Sequence, residues 1–144
     1  MGISTHAGES AWPRVLVVDD EPAVRESLQI MLESMGCEVS CAADGERAVS
    51  LFIQHSFDLV TVDYRMPGLD GAELVRLLSQ EFGTGKRVLD AIPVRLPPIL
   101  FVTAYPDEPA VREARLGEGV VGVVEKPCSL ATLKTVVGLA LRAS

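Results

Sequence analysis

Four polar sets stand where short apolar runs end, and their residue types suit one reaction. Asp19, Asp20 and Glu21 follow Val15-Leu16-Val17-Val18, Asp63 follows Leu59-Val60-Thr61-Val62, Thr103 follows Ile99-Leu100-Phe101-Val102, and Lys126 comes just after Val123-Val124-Glu125. A carboxylate is a hard oxygen nucleophile and a metal ligand. Toward an anionic phosphoryl donor it is slow, because like charges repel. Asp19, Asp20 and Asp63 could together hold a divalent cation, and Mg²⁺ matches both the oxygen ligands and a phosphate. Such an ion screens the repulsion and stabilises charge on the group in transfer. Lys126 would pair with another phosphoryl oxygen, and the Thr103 hydroxyl would donate to a third. The product would be an acyl phosphate on Asp63, a local dianion that Thr103 and Lys126 are placed to sense.

Each of these residues alone has a plainer reading. Acids at a helix start are favoured by the helix dipole, so Asp19 to Glu21 need no metal. Asp63 could cap backbone at the start of a loop, Thr103 could be an ordinary strand threonine, and Lys126 could be a surface charge. Only a fold that brings all four sets to one place favours the chemistry, so the elements between them decide.

The organising run is 59–63, apolar, β-branched and followed at once by Tyr64-Arg65-Met66-Pro67-Gly68. So short a run before a Pro-Gly signal reads as a strand buried on both faces of a parallel sheet. Runs at 15–18, 37–42, 99–102 and 119–124 read likewise. Between them the spacing turns helical. Pro22 opens a helix whose Val24, Leu28, Met31, Leu32 and Met35 share a face, and Gly36 stops it. Asp44-Gly45 leads into a helix ending near His55, with Ala48, Leu51 and Phe52 as its apolar side. Asp70 reads as the N-cap of a third helix carrying Leu74, Leu77 and Leu78, residues 106–116 as a charged fourth, and Ser129 as the cap of a fifth. Residues 83–97, with Lys86, Arg87, Arg95, Pro93 and the start of Pro97-Pro98, read as a long loop away from the reactive edge. Five strands alternating with five helices predict an α/β fold with right-handed crossovers. All four polar sets then fall at the carboxyl ends of strands, where such sheets form a crevice.

Length and composition set the outer bounds. A chain of 144 residues fits one domain, with residues 1–13 read as a flexible tail and 14–144 as the folded unit. The 20 acids outnumber the 13 Lys and Arg, for a net charge of −7, which opposes direct binding of nucleic acid or anionic lipid. No apolar run approaches the roughly 18 residues of a membrane span. Cys37, Cys41 and Cys128 have no metal-ligand spacing and suit buried thiols in a reducing cytoplasm. His6 and His55 read as solvent-facing, and Tyr105 as an aromatic at the rim of the site.

The motifs Val17-Val18-Asp19-Asp20-Glu21-Pro22, Val62-Asp63-Tyr64-Arg65-Met66-Pro67-Gly68-Leu69-Asp70-Gly71, Val102-Thr103-Ala104 and Glu125-Lys126-Pro127 resemble the receiver domain of bacterial two-component response regulators. The resemblance runs from about Arg14 to Arg142. It implies a flavodoxin-like doubly wound (βα)5 sandwich with strand order 2-1-3-4-5. It implies Asp63 as phosphoacceptor, Asp19 and Asp20 as Mg²⁺ acids with Arg65 contributing its backbone carbonyl, Thr103 as switch hydroxyl and Lys126 as phosphoryl-binding lysine. A cis bond before Pro127 comes with it. Implied partners are a sensor histidine kinase or phosphotransfer protein as donor and a downstream effector, with a homodimer allowed.

Two departures bear on output. The family often has an aromatic three residues before the lysine, where this chain has Val123, and the segment at 83–97 is longer than the family leads one to expect. A receiver that binds partners without phosphorylation is the first rival, and Val123 leans toward it while the retained acids lean away. A haloacid-dehalogenase-like phosphatase is the second; it looks for an acid two residues after its nucleophile, and here Arg65 stands there. The expectation is a receiver that assists its own phosphorylation and dephosphorylation and turns over no external substrate.

Overall fold

The computed structural model describes residues 12–66, 73, 74, 76, 97–116 and 119–143. Five strands, β1 (Arg14–Val18), β2 (Glu38–Ala42), β3 (Leu59–Asp63), β4 (Ile99–Thr103) and β5 (Val120–Glu125), form one parallel sheet in the order β2-β1-β3-β4-β5. Four helices are described in full: α1 (Pro22–Ser34), α2 (Gly45–Gln54), α3 (Pro109–Arg115) and α4 (Leu130–Ala143). Glu73, Leu74 and Arg76 are also helical, where the third helix is expected, while Asp70, Leu77, Leu78 and 83–96 lie outside the described residues.

Strand alternation divides the core into two layers. Val15, Val17, Leu59, Leu100 and Val124 face α1 and α4, meeting Leu28, Leu32, Leu133, Val137 and Ala140. Leu16, Val18, Val60, Val62, Ile99 and Phe101 face the other way, onto Ala48, Phe52, Leu74 and Val111. β3 and β4 are buried at every position, as central strands of a two-sided sheet should be. Each large apolar side chain so buried contributes roughly 1.5–3 kcal/mol, which is what holds five strand ends in one line.

Local chemistry sets the element boundaries, and in two places it moves them. The spacing predicts residue 119 as the first of the fifth strand, yet Gly119 has φ +87, a left-handed backbone outside the extended region, so β5 starts at Val120 and runs on to Glu125. The helix expected over 106–116 is shorter, because the Glu108 N–H turns back to the Tyr105 carbonyl at 3.2 Å before Pro109 opens α3. Gly36, at φ +88, ends α1 as its type predicts. Asp44 Oδ1 accepts from the Arg47 N–H at 2.7 Å, and Ser129 Oγ accepts from the Thr132 N–H at 3.1 Å, so both predicted caps form. Cys37 is buried and Cys41 half-buried, both against the α1 layer. His55 is exposed, as read, and its Nδ1 also meets Arg14 Nη1 at 3.3 Å.

Candidate functional site

The sheet ends its strands in register, and that places the polar sets together. Val18, Val62, Phe101 and Val123 follow one another across β1, β3, β4 and β5 as paired neighbours. The next residues along these strands are Asp19, Asp63, Val102 and Val124, so the acids emerge side by side while Thr103 and Lys126 follow from the adjoining ends. Lys126 is drawn in by its backbone, whose N–H donates to the Thr103 carbonyl at 2.8 Å; its bond to Pro127 is cis.

Asp19 and Asp63 are buried, Asp20 is half-buried and Glu21 is exposed. One carboxylate oxygen from each of the four lies within 4.8 Å of the others. Asp19 uses Oδ1 to accept from the Glu21 N–H at 2.9 Å, a short turn into α1. Its Oδ2 is buried without an aligned hydrogen-bond donor, although Lys126 Nζ approaches it to 2.8 Å as an ion pair. The same ammonium lies 3.4 Å from Asp63 Oδ2 and 3.5 Å from Glu21 Oε1. A set of hard oxygens this close fits a small divalent cation. Glu21 joins the cluster beyond the acids expected from the motif; the signal for it was its place directly after Asp20.

Burial sets the acid–base character of the nucleophile. Desolvation, then the neighbouring Asp19 charge, push the Asp63 carboxyl up to about 6, against the pull of Lys126 and of the Arg65 N–H that donates to Asp63 Oδ1 at 3.3 Å. For Lys126 burial favours the neutral amine, but Asp19 first and Asp63 after it outweigh burial, and its pKa rises. At neutral pH the site is therefore an ionised aspartate beside a firmly held ammonium. Thr103 is buried with Oγ1 accepting from the Tyr105 N–H at 3.0 Å, which leaves its own proton to donate.

Arg65 adds what its type did not predict. Beyond its backbone, its guanidinium sits over the Tyr105 ring, 4.8 Å from the centroid, and Nη2 lies 2.6 Å from Glu108 Oε2. Tyr105 is at the rim and 55% exposed, as read. Val123 packs half-buried against the layer that contains Phe101, and Tyr64 is buried there too, edge-on to Phe101 at 5.8 Å. Among the described residues no helix is long and apolar enough to cross a membrane.

Comparisons with known proteins point the same way. The family model described as the response regulator receiver domain matches residues 15–138. Sensor protein GacS of Pseudomonas syringae is 37% identical over 90% of this chain, which covers 14% of that protein. Response regulator MprA of a Mycobacterium species is 39% identical over 83% of this chain, which covers 46% of it. The chain thus spans well under two thirds of the curated relatives it matches. The Vibrio cholerae chemotaxis protein CheY4 superimposes with a TM-score of 0.74 at 26% identity, covering 90% of this chain and 98% of its own.

Proposed function

The chain belongs to the response regulator receiver domain family of two-component systems, and from that premise we propose that Asp63 accepts a phosphoryl group and that the resulting acyl phosphate switches a partner or output. The observation that carries this reading is the packing of one ammonium, Lys126 Nζ, between the carboxylates of Asp19 and Asp63 at the carboxyl edge of the sheet.

In the reaction, one Asp63 carboxylate oxygen attacks phosphorus, and the bond to the donor's leaving atom breaks with its electron pair staying on the leaving group. A phosphohistidine would lose its imidazole nitrogen, and a small acyl phosphate its carboxylate. Asp19, Asp20 and Asp63, with the Arg65 carbonyl, are the groups to hold Mg²⁺, and Glu21 lies beside them. When bound, the ion supplies charge neutralisation for the incoming phosphoryl group. Lys126 moves from carboxylate to phosphoryl oxygen, and the Thr103 hydroxyl donates to a second oxygen. Hydrolysis by water at the same phosphorus returns Asp63, so the chain acts on itself alone.

Residues 14–144 are the proposed receiver unit, working in the cytoplasm with a sensor histidine kinase or phosphotransfer protein as donor. Intact mass after incubation with acetyl phosphate and Mg²⁺ tests the assignment. A gain of one phosphoryl group in the wild type and none in Asp63→Asn is expected; equal labelling of both would falsify it.

A further inference from the structure

Two residues hold the reacting groups through their backbones and each other through their side chains. The Arg65 N–H donates to the Asp63 carboxylate and the Tyr105 N–H to the Thr103 hydroxyl, while the Arg65 guanidinium covers the Tyr105 ring. The guanidinium also grips Glu108 at 2.6 Å. Glu108 immediately precedes α3, and its carbonyl accepts from the Arg112 N–H at 3.0 Å, so it forms part of that helix's first turn. Direct contacts therefore run from Asp63 through Arg65 to the start of α3. Val123, an aliphatic side chain in the core layer, offers no polar group for such a link.

A phosphoryl group on Asp63 would place a dianion two residues from this guanidinium. Arg65 has a side chain 60% exposed, so its ion pair with the half-buried Glu108 is open to water on the arginine side, where such pairs are worth little. Against one carboxylate, a phosphoryl group offers more charge and more acceptor oxygens to the planar fork of an arginine. Such an exchange would leave Glu108 without this partner.

We propose that Arg65 is an exchange switch: once Asp63 is phosphorylated, its guanidinium transfers from Glu108 to the phosphoryl oxygens and releases the first turn of α3. This rests on Asp63 being the phosphoacceptor, and adds how the state of that residue reaches a helix when position 123 is aliphatic.

The test follows the amide resonances of Val111 and Arg112 in the full chain, with intact mass recorded on the same samples, before and after excess acetyl phosphate with Mg²⁺. In the wild type both resonances should move as the mass increases. Glu108→Gln should take up the phosphoryl group, start near the labelled wild-type positions and move only a small part of the way. Arg65→Gln should do the same and lose its phosphoryl group several-fold faster, while Arg65→Lys, keeping a cation, restores much of the response. Labelled Glu108→Gln and Arg65→Gln that both show the full wild-type movement would overturn the exchange and leave the phosphoacceptor standing. No mass gain in the wild type would overturn both.

Discussion

The ammonium of Lys126 lies 2.8 Å from Asp19 Oδ2, inside the same acidic cluster whose geometry suits a divalent cation. One positive charge thus balances a group of acids that could not otherwise be buried together at low cost. Lys126→Met should therefore lower the stability of the metal-free chain by roughly 3 kcal/mol, since it strands buried carboxylates. Mg²⁺ should recover much of that loss and bind the variant more tightly than the wild type. Urea melts with and without Mg²⁺ check both statements, and a variant whose metal affinity falls would show that the lysine assembles the metal site instead of competing with the ion.

Asp63 carries a second linkage. Its folded pKa of about 6 lies above the ordinary 3.8, so the folded chain binds the extra proton and stability falls as pH rises through the window from about 4 to 6. Asp63→Asn removes that loss. The variant should exceed the metal-free wild type by about 1–3 kcal/mol at pH 7, and the gap should close by pH 4. Thermal melts across that range measure it, and a gap independent of pH would contradict the burial argument.

Thr61, in the middle of β3, has a buried hydroxyl oxygen with no hydrogen-bond partner among the described residues. A buried hydroxyl in that condition costs more than a methyl group of similar size. Thr61→Val should raise stability by about 1 kcal/mol and leave phosphorylation unchanged. Loss of stability would mean that the hydroxyl has a partner in solution, an ordered water being the first candidate.

Gly36 closes α1 at φ +88, a conformation that L side chains resist. A Cβ there would meet only the Trp12 ring at 3.6 Å, an ordinary contact, so any penalty comes from the backbone. Gly36→Ala should cost about 1 kcal/mol, read from urea melts followed by the fluorescence of Trp12, the only tryptophan in the chain.

The order of elements and the residues at the strand ends were legible in the sequence, because buried parallel strands leave continuous apolar runs and each run here stops at a polar residue. Caps at Asp44 and Ser129 and the stop at Gly36 were legible for the same reason: backbone conformation there depends on the residue itself. The strand order also followed, though from the resemblance of four motifs and not from spacing. The start of β5 and the length of α3 were missed by one to three residues, since a glycine's φ and a turn over Tyr105 to Glu108 depend on neighbours fixed only in three dimensions. Tertiary structure alone decided which charges meet. The sequence puts Lys126 at the same edge as Asp19 and Asp63 but not in ion pairs with them, and nothing in it announces that Arg65 would bridge 43 residues to Glu108, because an ion pair between distant residues exists only where the sheet brings their strand ends together.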